Sequence, residues 1–353
     1  MIKIKDNFLV KILDNLVNIG ASPILVGGSV RDFFLNVDVK DYDVEVYGLD
    51  RLEELENILK NFGKVKLVGK SFGILKLSAQ EMEYDFSFPR MENKIADGHK
   101  GFEVLVDGNL SFKDATRRRD FTINSIGYDY KNKIYLDPFN GRKDLEKKVL
   151  KHIDDVTFIE DPLRVYRLIQ FRSRFNFTIN AHTFKLCQKI VKTNEFHSLS
   201  KERIYAEYKK LLLKSSAPSF GLSLINKLKI EKISEDKLAI IDEIAQFRID
   251  NEDKLILVFS VMKDIFIKIS NNKKLLRKIE NYETFRIPKS DIETYNKVES
   301  KGKKMLVKLD IQKNIPKPIY SGKDLLEMGY TPNEKFKTIL DTLHKMQLDG
   351  KIC

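Results

Sequence analysis

The chain has 353 residues, and 63 Lys+Arg against 51 Asp+Glu leave a net charge of +12. That length buries a sizeable core and predicts more than one domain, while the basic surplus suits a polyanionic partner, because Lys and Arg gain affinity by releasing counterions from phosphates. The two cysteines, Cys187 and Cys353, exclude a disulfide framework and a Cys-rich zinc site, so no disulfide partner is expected.

In chain order, residues 1–20 predict an amphipathic helix. Leu9, Ile12, Leu13 and Leu16 recur at helical spacing and are broken by charges, unlike a signal peptide. From 23 to about 147 the texture turns to short β-rich runs with Gly turns, at 23–27, 42–47, 64–68, 72–78, 83–88, 102–106 and 134–137. Helices around Leu52–Phe62 and Ala115–Ile126 interrupt them. From about Leu145 onward Gly is scarce and the apolar period is helical. The longest apolar stretch, around Leu255–Met262, is too short to span a bilayer. A soluble, cytoplasmic protein without a membrane partner is expected. Lys-Gly-Lys-Lys at 301–304 and the Pro316/Pro318 pair mark a linker before a small C-terminal unit.

Three blocks carry chemistry. In the first, Ile24-Leu-Val-Gly-Gly-Ser-Val-Arg-Asp32, an apolar run stops at a Gly-Gly turn, and Lys40-Asp-Tyr-Asp43 follows. Residues two apart on a strand share a face, roughly 6.5–7 Å apart, so Asp41 and Asp43 converge on one hard cation or on a pair of Mg²⁺ ions. Gly27 and Gly28 let backbone N–H groups approach phosphate oxygens. An Asp-x-Asp by itself is also an ordinary solvated strand end; the Gly-Gly turn and Arg31 argue against that here. In the second block, Arg117-Arg-Arg-Asp-Phe-Thr-Ile-Asn124, three adjacent guanidiniums repel one another unless a triphosphate offsets them. Asp120 and Asn124, four apart on a predicted helix, share a face suited to a ribose hydroxyl; the alternative is a basic surface helix. The third block, Glu160-Asp-Pro-Leu-Arg-Val-Tyr-Arg167, opens a helix with acids and Pro162 at its positive end. Arg164, Arg167, Gln170 and Arg174 then form a polar stripe opposite Val165, Leu168, Ile169 and Phe175, and Arg167 and Arg174 have no acidic partners at i±4. Asp85, in Tyr-Asp-Phe-Ser, sits on a predicted strand as a third carboxylate or an ordinary strand Asp.

With these blocks in place, the chain resembles the class II tRNA nucleotidyltransferases, the group of CCA-adding enzymes and bacterial poly(A) polymerases. The matching segments are Val26–Asp32, Lys40–Asp43, Arg118–Asn124, Asp137-Pro-Phe-Asn-Gly141, Glu160–Arg167 and Glu202-Arg-Ile-Tyr-Ala-Glu207. A looser resemblance, to the tail of bacterial CCA-adding enzymes, covers Tyr320–Gly329, Pro332 and Gln347-Leu-Asp-Gly350.

The resemblance implies an α+β fold: a nucleotidyltransferase head with a mixed or antiparallel sheet over 1–147, then helices throughout. These would form a nucleotide-selecting, RNA-binding neck over 148–215, a body over 216–305 and a tRNA-binding tail over 306–353. It implies Mg²⁺ on Asp41 and Asp43 as catalytic and metal residues. Gly28, Arg31, Arg119, Asp120, Asp161, Arg164 and Arg167 become nucleotide-binding residues. Asp161 would accept from the amino group of cytosine or adenine and Arg164 would donate to the adjacent ring acceptor. Gln170 stands where many members carry a further arginine. The charged segment with Arg90, Glu92, Lys94, Gly98, His99, Lys100 and Gly101 corresponds to a mobile loop that helps switch specificity from C to A, or to a plain surface hairpin.

The implied activity is template-independent addition or repair of the tRNA 3′ CCA from CTP and ATP. Dedicated A-adding or CC-adding enzymes, poly(A) polymerase and a non-catalytic RNA-binding protein are the alternatives. No His-Asp dipeptide occurs, so the phosphohydrolase domain fused to some relatives is not expected, and His99, His152, His182, His197 and His344 read as surface or core residues without a metal site. Oligomeric state is left open by the sequence.

Overall fold

A computed structural model of the chain describes residues 4–39, 41–68, 73–79, 82–94, 102–315, 318–332, 335–349 and 351–352. Asp6 accepts from the backbone N–H groups of Phe8 and Leu9 at 2.9 and 3.0 Å, capping α1 (Asn7–Asn18). Its Leu9, Ile12, Leu13 and Leu16 are fully buried. This is the expected stripe, each side chain worth about 1.5–3 kcal/mol on burial.

The following elements are β1 (Ser22–Val26), α2 (Gly28–Phe34), β2 (Tyr42–Tyr47), α3 (Leu52–Lys60), β3 (Lys64–Val68), β4 (Ile74–Ala79), β5 (Met82–Ser87), β6 (Arg90–Lys94), β7 (Phe102–Val106), α4 (Phe112–Arg117), a 3₁₀ turn (Thr122–Asn124), β8 (Gly127–Asp129) and β9 (Ile134–Leu136). A seven-stranded sheet has the order β3-β4-β5-β2-β1-β8-β9. Only β2 and β5 run parallel in it, the other neighbours being antiparallel. The sheet is mixed, as expected. β6 and β7 form a separate hairpin; Gly98, His99, Lys100 and Gly101 of the charged segment lie outside the described residues.

The helix expected over Ala115–Ile126 is two pieces. α4 ends at Arg117 and Phe121 is extended, with φ −124° and ψ 149°, bridging to His152. β6 and β8 went unforeseen: Arg-Met-Glu-Asn-Lys has a single apolar residue and no alternation, and β8 has only three residues.

Next come α5 (Gly141–Glu146), β10 (Val149–Leu150), α6 (Asp155–Glu160), α7 (Leu163–Phe175), β11 (Thr178–Ile179), α8 (Ala181–Ile190), α9 (Asn194–His197) and α10 (Lys201–Leu213). β10 and β11 pair in parallel, a small exception to the all-helical expectation. On α7, Val165, Leu168 and Ile169 are buried as expected. Gln170 is buried too, at 2% exposure, while Phe175 is half-buried.

The chain divides into two compact units, Met1–Ile204 and Tyr205–Cys353. The second is helical among the described residues: α11 (Ser219–Lys227), α12 (Glu235–Ala245), α13 (Asn251–Val261), α14 (Lys263–Ile269), α15 (Lys273–Thr284), a 3₁₀ turn (Lys289–Asp291), α16 (Ile292–Asn296), α17 (Lys301–Lys313), α18 (Gly322–Glu327) and α19 (Phe336–Leu348). Tyr205, Phe259 and Phe266 cluster in its core. Residues 301–304 are not linker but the first turn of α17, whose N-cap Ser300 donates to Glu243. Pro316 lies outside the described residues. Among the described residues no helix is long and apolar enough to cross a membrane.

Asp137 fixes the turn into α5, accepting from the N–H groups of Gly141 and Arg142 at 2.6 and 3.0 Å. A Cβ on Gly141 would lie 2.1 Å from the Thr122 carbonyl oxygen. Gly141→Ala is predicted to cost about 1–3 kcal/mol through overpacking, read as a lower urea midpoint at unchanged slope; an unshifted midpoint contradicts this close approach.

Candidate active site

Alternation along β2 sorts its side chains between two faces. Tyr42 and Val44 stand beside Tyr84 and Phe86 of β5, and Asp43 and Glu45 beside Asp85 and Ser87. The first set is buried and lies on the α1 side, where Tyr84 donates its hydroxyl to Asp6 at 2.7 Å and its ring sits 5.9 Å from Phe8. The second set is polar and faces the same way as Ile24 and Val26, which pack with Tyr47 and Ala115. One strand thus supplies both a core face and a carboxylate face.

Asp41 precedes β2 and is exposed. Asp43 reaches Gly27, the residue that ends β1 with φ +69°. An added Cβ there would meet Arg119 Nη1 at 3.1 Å and Asp43 Oδ2 at 3.3 Å, so glycine is required for both conformation and space. Burial pushes the Asp43 carboxyl above its usual range, with Arg119 pulling it down and Asp85, Asp41 and Glu45 pushing it further up, although the residue retains solvent access.

Glu45, 1% exposed, takes up the arginine repulsion. Its Oε1 accepts from Arg118 Nη2 at 3.0 Å and from Arg119 Nη2 at 2.8 Å, and Oε2 accepts from the Tyr47 hydroxyl at 3.1 Å. Burial opposes ionisation, yet Arg119 and Arg118 outweigh it and hold the Glu45 carboxyl below the usual range. Arg117 stays exposed. The sequence reading missed Glu45, although it continues the Asp41, Asp43 alternation by one more step.

Arg31 is buried rather than open toward the turn. It donates to Asp32 at 2.8 Å and to Asn124 Oδ1 at 2.6 Å, with Phe171 and Phe175 at 5.4 and 4.9 Å from its guanidinium. Asp120 and Asn124 do meet, but across the turn rather than along a helix: Asn124 Nδ2 donates to Asp120 Oδ1 at 2.8 Å. Asp120 Oδ2 accepts from Arg167 Nε at 2.6 Å. Arg174 donates to Asp32 at 3.0 Å. The arginine stripe of α7 therefore has acidic partners after all, supplied by α2 and the 117–124 block instead of by α7 itself.

Just before α7, Asp161 accepts from Leu163 N at 3.2 Å. Both its oxygens also accept from Arg203 Nη2, at 3.0 and 3.1 Å. Arg164 donates to the carbonyls of Thr157, at 2.6 Å, and Arg118. Arg203 lies inside the Glu202–Glu207 motif, but its partnership with Asp161, 42 residues away, has no local signal.

Two buried polar atoms at this face, Asp85 Oδ1 and Arg119 Nε, lack a hydrogen-bond partner among the described residues. Asp85 Oδ1 has only Lys76 Nζ at 3.5 Å. Together with the raised Asp43 carboxyl, an under-satisfied Asp85 oxygen is a donor set that a hard divalent cation fits. Elsewhere the structure brings His152 and His182 together around Asp155, two histidines that the sequence reading left as unconnected.

Comparison with known proteins bears on this face directly. Residues 24–151 match the family model described as the Poly A polymerase head domain. The match covers a little over a third of the chain. Over 212 residues the chain is 39% identical to the CCA-adding enzyme of Francisella tularensis subsp. novicida (strain U112), which covers 59% of this chain and 54% of that protein; the matched stretch spans about half the length of such curated relatives. The structure of the Bacillus stearothermophilus CCA-adding enzyme in complex with CTP is similar with a TM-score of 0.70 and 20% identity, over 99% of this chain and 94% of that one. The Thermotoga maritima CCA-adding enzyme complexed with tRNA_CCA gives 0.65 and 20%, over 98% and 92%. At that identity the two structures establish the fold, a mixed-sheet head followed by helices.

Glu45 is predicted to hold the two arginines. Glu45→Gln leaves a buried pair broken at a cost of about 3–5 kcal/mol. Because its folded pKa lies below the unfolded value of about 4.3, Glu45 stabilises fully above that pH and loses its contribution as pH falls through the folded value. Acid titration of stability should show a shallower acid limb in Glu45→Gln; superimposable limbs would falsify this role.

Proposed function

We propose that the chain is a tRNA nucleotidyltransferase that adds or repairs the 3′-terminal CCA from CTP and ATP without a nucleic-acid template. The observation that carries this reading is the register of β2 on β5, which sets Asp43 beside Asp85 under the Gly27 turn and against Arg119. The match of residues 24–151 to the Poly A polymerase head domain and the curated relatives named as CCA-adding enzymes support it.

Asp41 and Asp43, with Asp85 alongside, would hold Mg²⁺. When bound, the cation neutralises triphosphate charge and lowers the pKa of the attacking hydroxyl. The chain's own residues bind and orient. The Gly27–Gly28 backbone approaches the triphosphate, and Arg119 and Arg118 supply positive charge that Glu45 balances until a phosphate competes for it. Arg31 works from behind, keeping Asn124 and Asp32 in place, and Arg167 holds Asp120. Asp161, fixed by Arg203, accepts from the exocyclic amino group of cytosine or adenine, while Arg164 turns from its carbonyl partners to donate to the neighbouring ring acceptor. Uracil and guanine present the reverse pattern and leave buried groups unpaired, which such sites reject by about 10⁴–10⁵ in favourable cases.

In this reading residues 1–147 are the catalytic head, 148–215 the selecting neck, and 216–305 and 306–353 the body and tail that grip tRNA. The net charge of +12 serves the phosphates of that tRNA. The enzyme works in the cytoplasm, where tRNA and nucleoside triphosphates are available.

The test is incubation with a tRNA transcript lacking its CCA end, with CTP, ATP and Mg²⁺. Extension by C, C and A is expected; addition limited to CC or to A, or an open-ended A tail, points to the narrower enzymes, and no incorporation refutes the reading. Asp41→Ala and Asp43→Ala should each lower turnover by on the order of a thousandfold, the loss of several kcal/mol of charge stabilisation, with tRNA binding retained. Asp161→Ala should relax discrimination against UTP. Affinity for tRNA should fall steeply with salt, and a flat salt profile would argue against phosphate contacts.

A further inference from the structure

His152, Asp155 and His182 come from three stretches: the segment after β10, the first residue of α6 and the second residue of α8. His152 Nε2 lies 2.6 Å from Asp155 Oδ1. His182 Nε2 lies 3.0 and 2.8 Å from the two oxygens of the same carboxylate. All the ligand-type atoms fall within 4.8 Å of one another. None of these residues belongs to the nucleotide-binding face.

The inner ligand is built into the protein wall. The His152 side chain is 5% exposed, and its ring packs 5.2 Å from Phe158. Its Nδ1 sits 2.7 Å from the hydroxyl of fully buried Thr183, which also accepts from His152 N at 3.2 Å. That contact fixes the ring and directs Nε2 outward, the arrangement that orients metal-bound imidazoles from behind. The outer two ligands face water, with Asp155 55% and His182 62% exposed, which leaves coordination positions for solvent and a route of entry. Asn180 secures the third ligand by capping α8, accepting from the N–H groups of His182 and Thr183 at 3.0 and 3.3 Å. As a hydrogen-bond cluster alone, so exposed a carboxylate would contribute little.

We infer that His152, Asp155 and His182 form a binding site for a divalent transition ion of the Zn²⁺ class. Two imidazoles and one carboxylate suit Zn²⁺, Co²⁺ or Ni²⁺; Mg²⁺ prefers oxygen donors. The bound ion ties α6 to α8. α6 is the element whose Thr157 hydroxyl donates to the Arg117 carbonyl at 3.2 Å and whose Thr157 carbonyl accepts from Arg164. Occupancy therefore stiffens the support beneath the arginine block.

The test uses the full chain, stripped with a chelator and titrated with Co²⁺ in excess Mg²⁺, which keeps the carboxylate face occupied. One Co²⁺ per chain is expected, with a visible absorption band that Zn²⁺ abolishes by displacement, and Zn²⁺ should raise the thermal midpoint. His182→Ala and Asp155→Asn, both at exposed side chains, should leave the metal-free midpoint near that of the parent and weaken Co²⁺ binding by about tenfold or more. Failure to bind Co²⁺ stoichiometrically, or binding unchanged in either variant, overturns the site. None of these readouts depends on nucleotidyl transfer.

Discussion

A buried carboxylate between two guanidiniums sets the terms for the rest of this head domain. Glu45 accepts from Arg118 and Arg119 at 3.0 and 2.8 Å on the strand that also carries Asp43. Without it, adjacent arginines next to a raised aspartate would leave positive charge uncompensated in a poorly solvated place, a costly state. With it, the positive block is held over the Gly27 turn in a preformed arrangement. A preformed block spares the protein reorganisation when a polyanion arrives, the condition under which fixed charges act most strongly.

The same logic repeats at α7. Arg167 is held by Asp120, Arg174 by Asp32 and Asp161 by Arg203. Each pair joins groups on different elements, so the charges position the elements as well as one another. Aromatic faces complete the arrangement, with Phe171 and Phe175 stacked 5.6 Å apart at 13° beside the Arg31 guanidinium.

Local patterns were legible in the chain, and distant pairings were not. The two-residue spacing of Asp41 and Asp43, the glycine turn and the helical period of α1 are all consequences of geometry within a few residues. Glu45 obeys the same alternation and was available to the same argument. By contrast, Arg174 and Asp32 are 142 residues apart, and Arg167 and Asp120 are 47 apart, so Arg167 and Arg174, without acids at i±4, looked unpaired. The segment from Ala115 to Ile126 contains no Gly or Pro to break a helix. Its interruption comes from Phe121, extended to bridge His152, an event that tertiary contacts decide. Gln170 reads as polar, yet its place on α7 is buried. The head's strand runs from β1 to β5 were predicted almost residue for residue, because each is long enough to show its alternation.

The ion pairs that join α2 and the 117–124 block to α7 carry an evolutionary consequence. Asp32 and Asp120 each accept from a guanidinium of α7; losing Arg174 leaves Asp32 with Arg31, whereas losing Arg167 leaves the buried Asp120 carboxylate without its paired cation. The 117–124 block and α7 must therefore change as a matched set. A chimaera that joins residues 1–147 to a foreign helical segment strands the Asp120 carboxylate unless that segment brings its own cation to the Arg167 position.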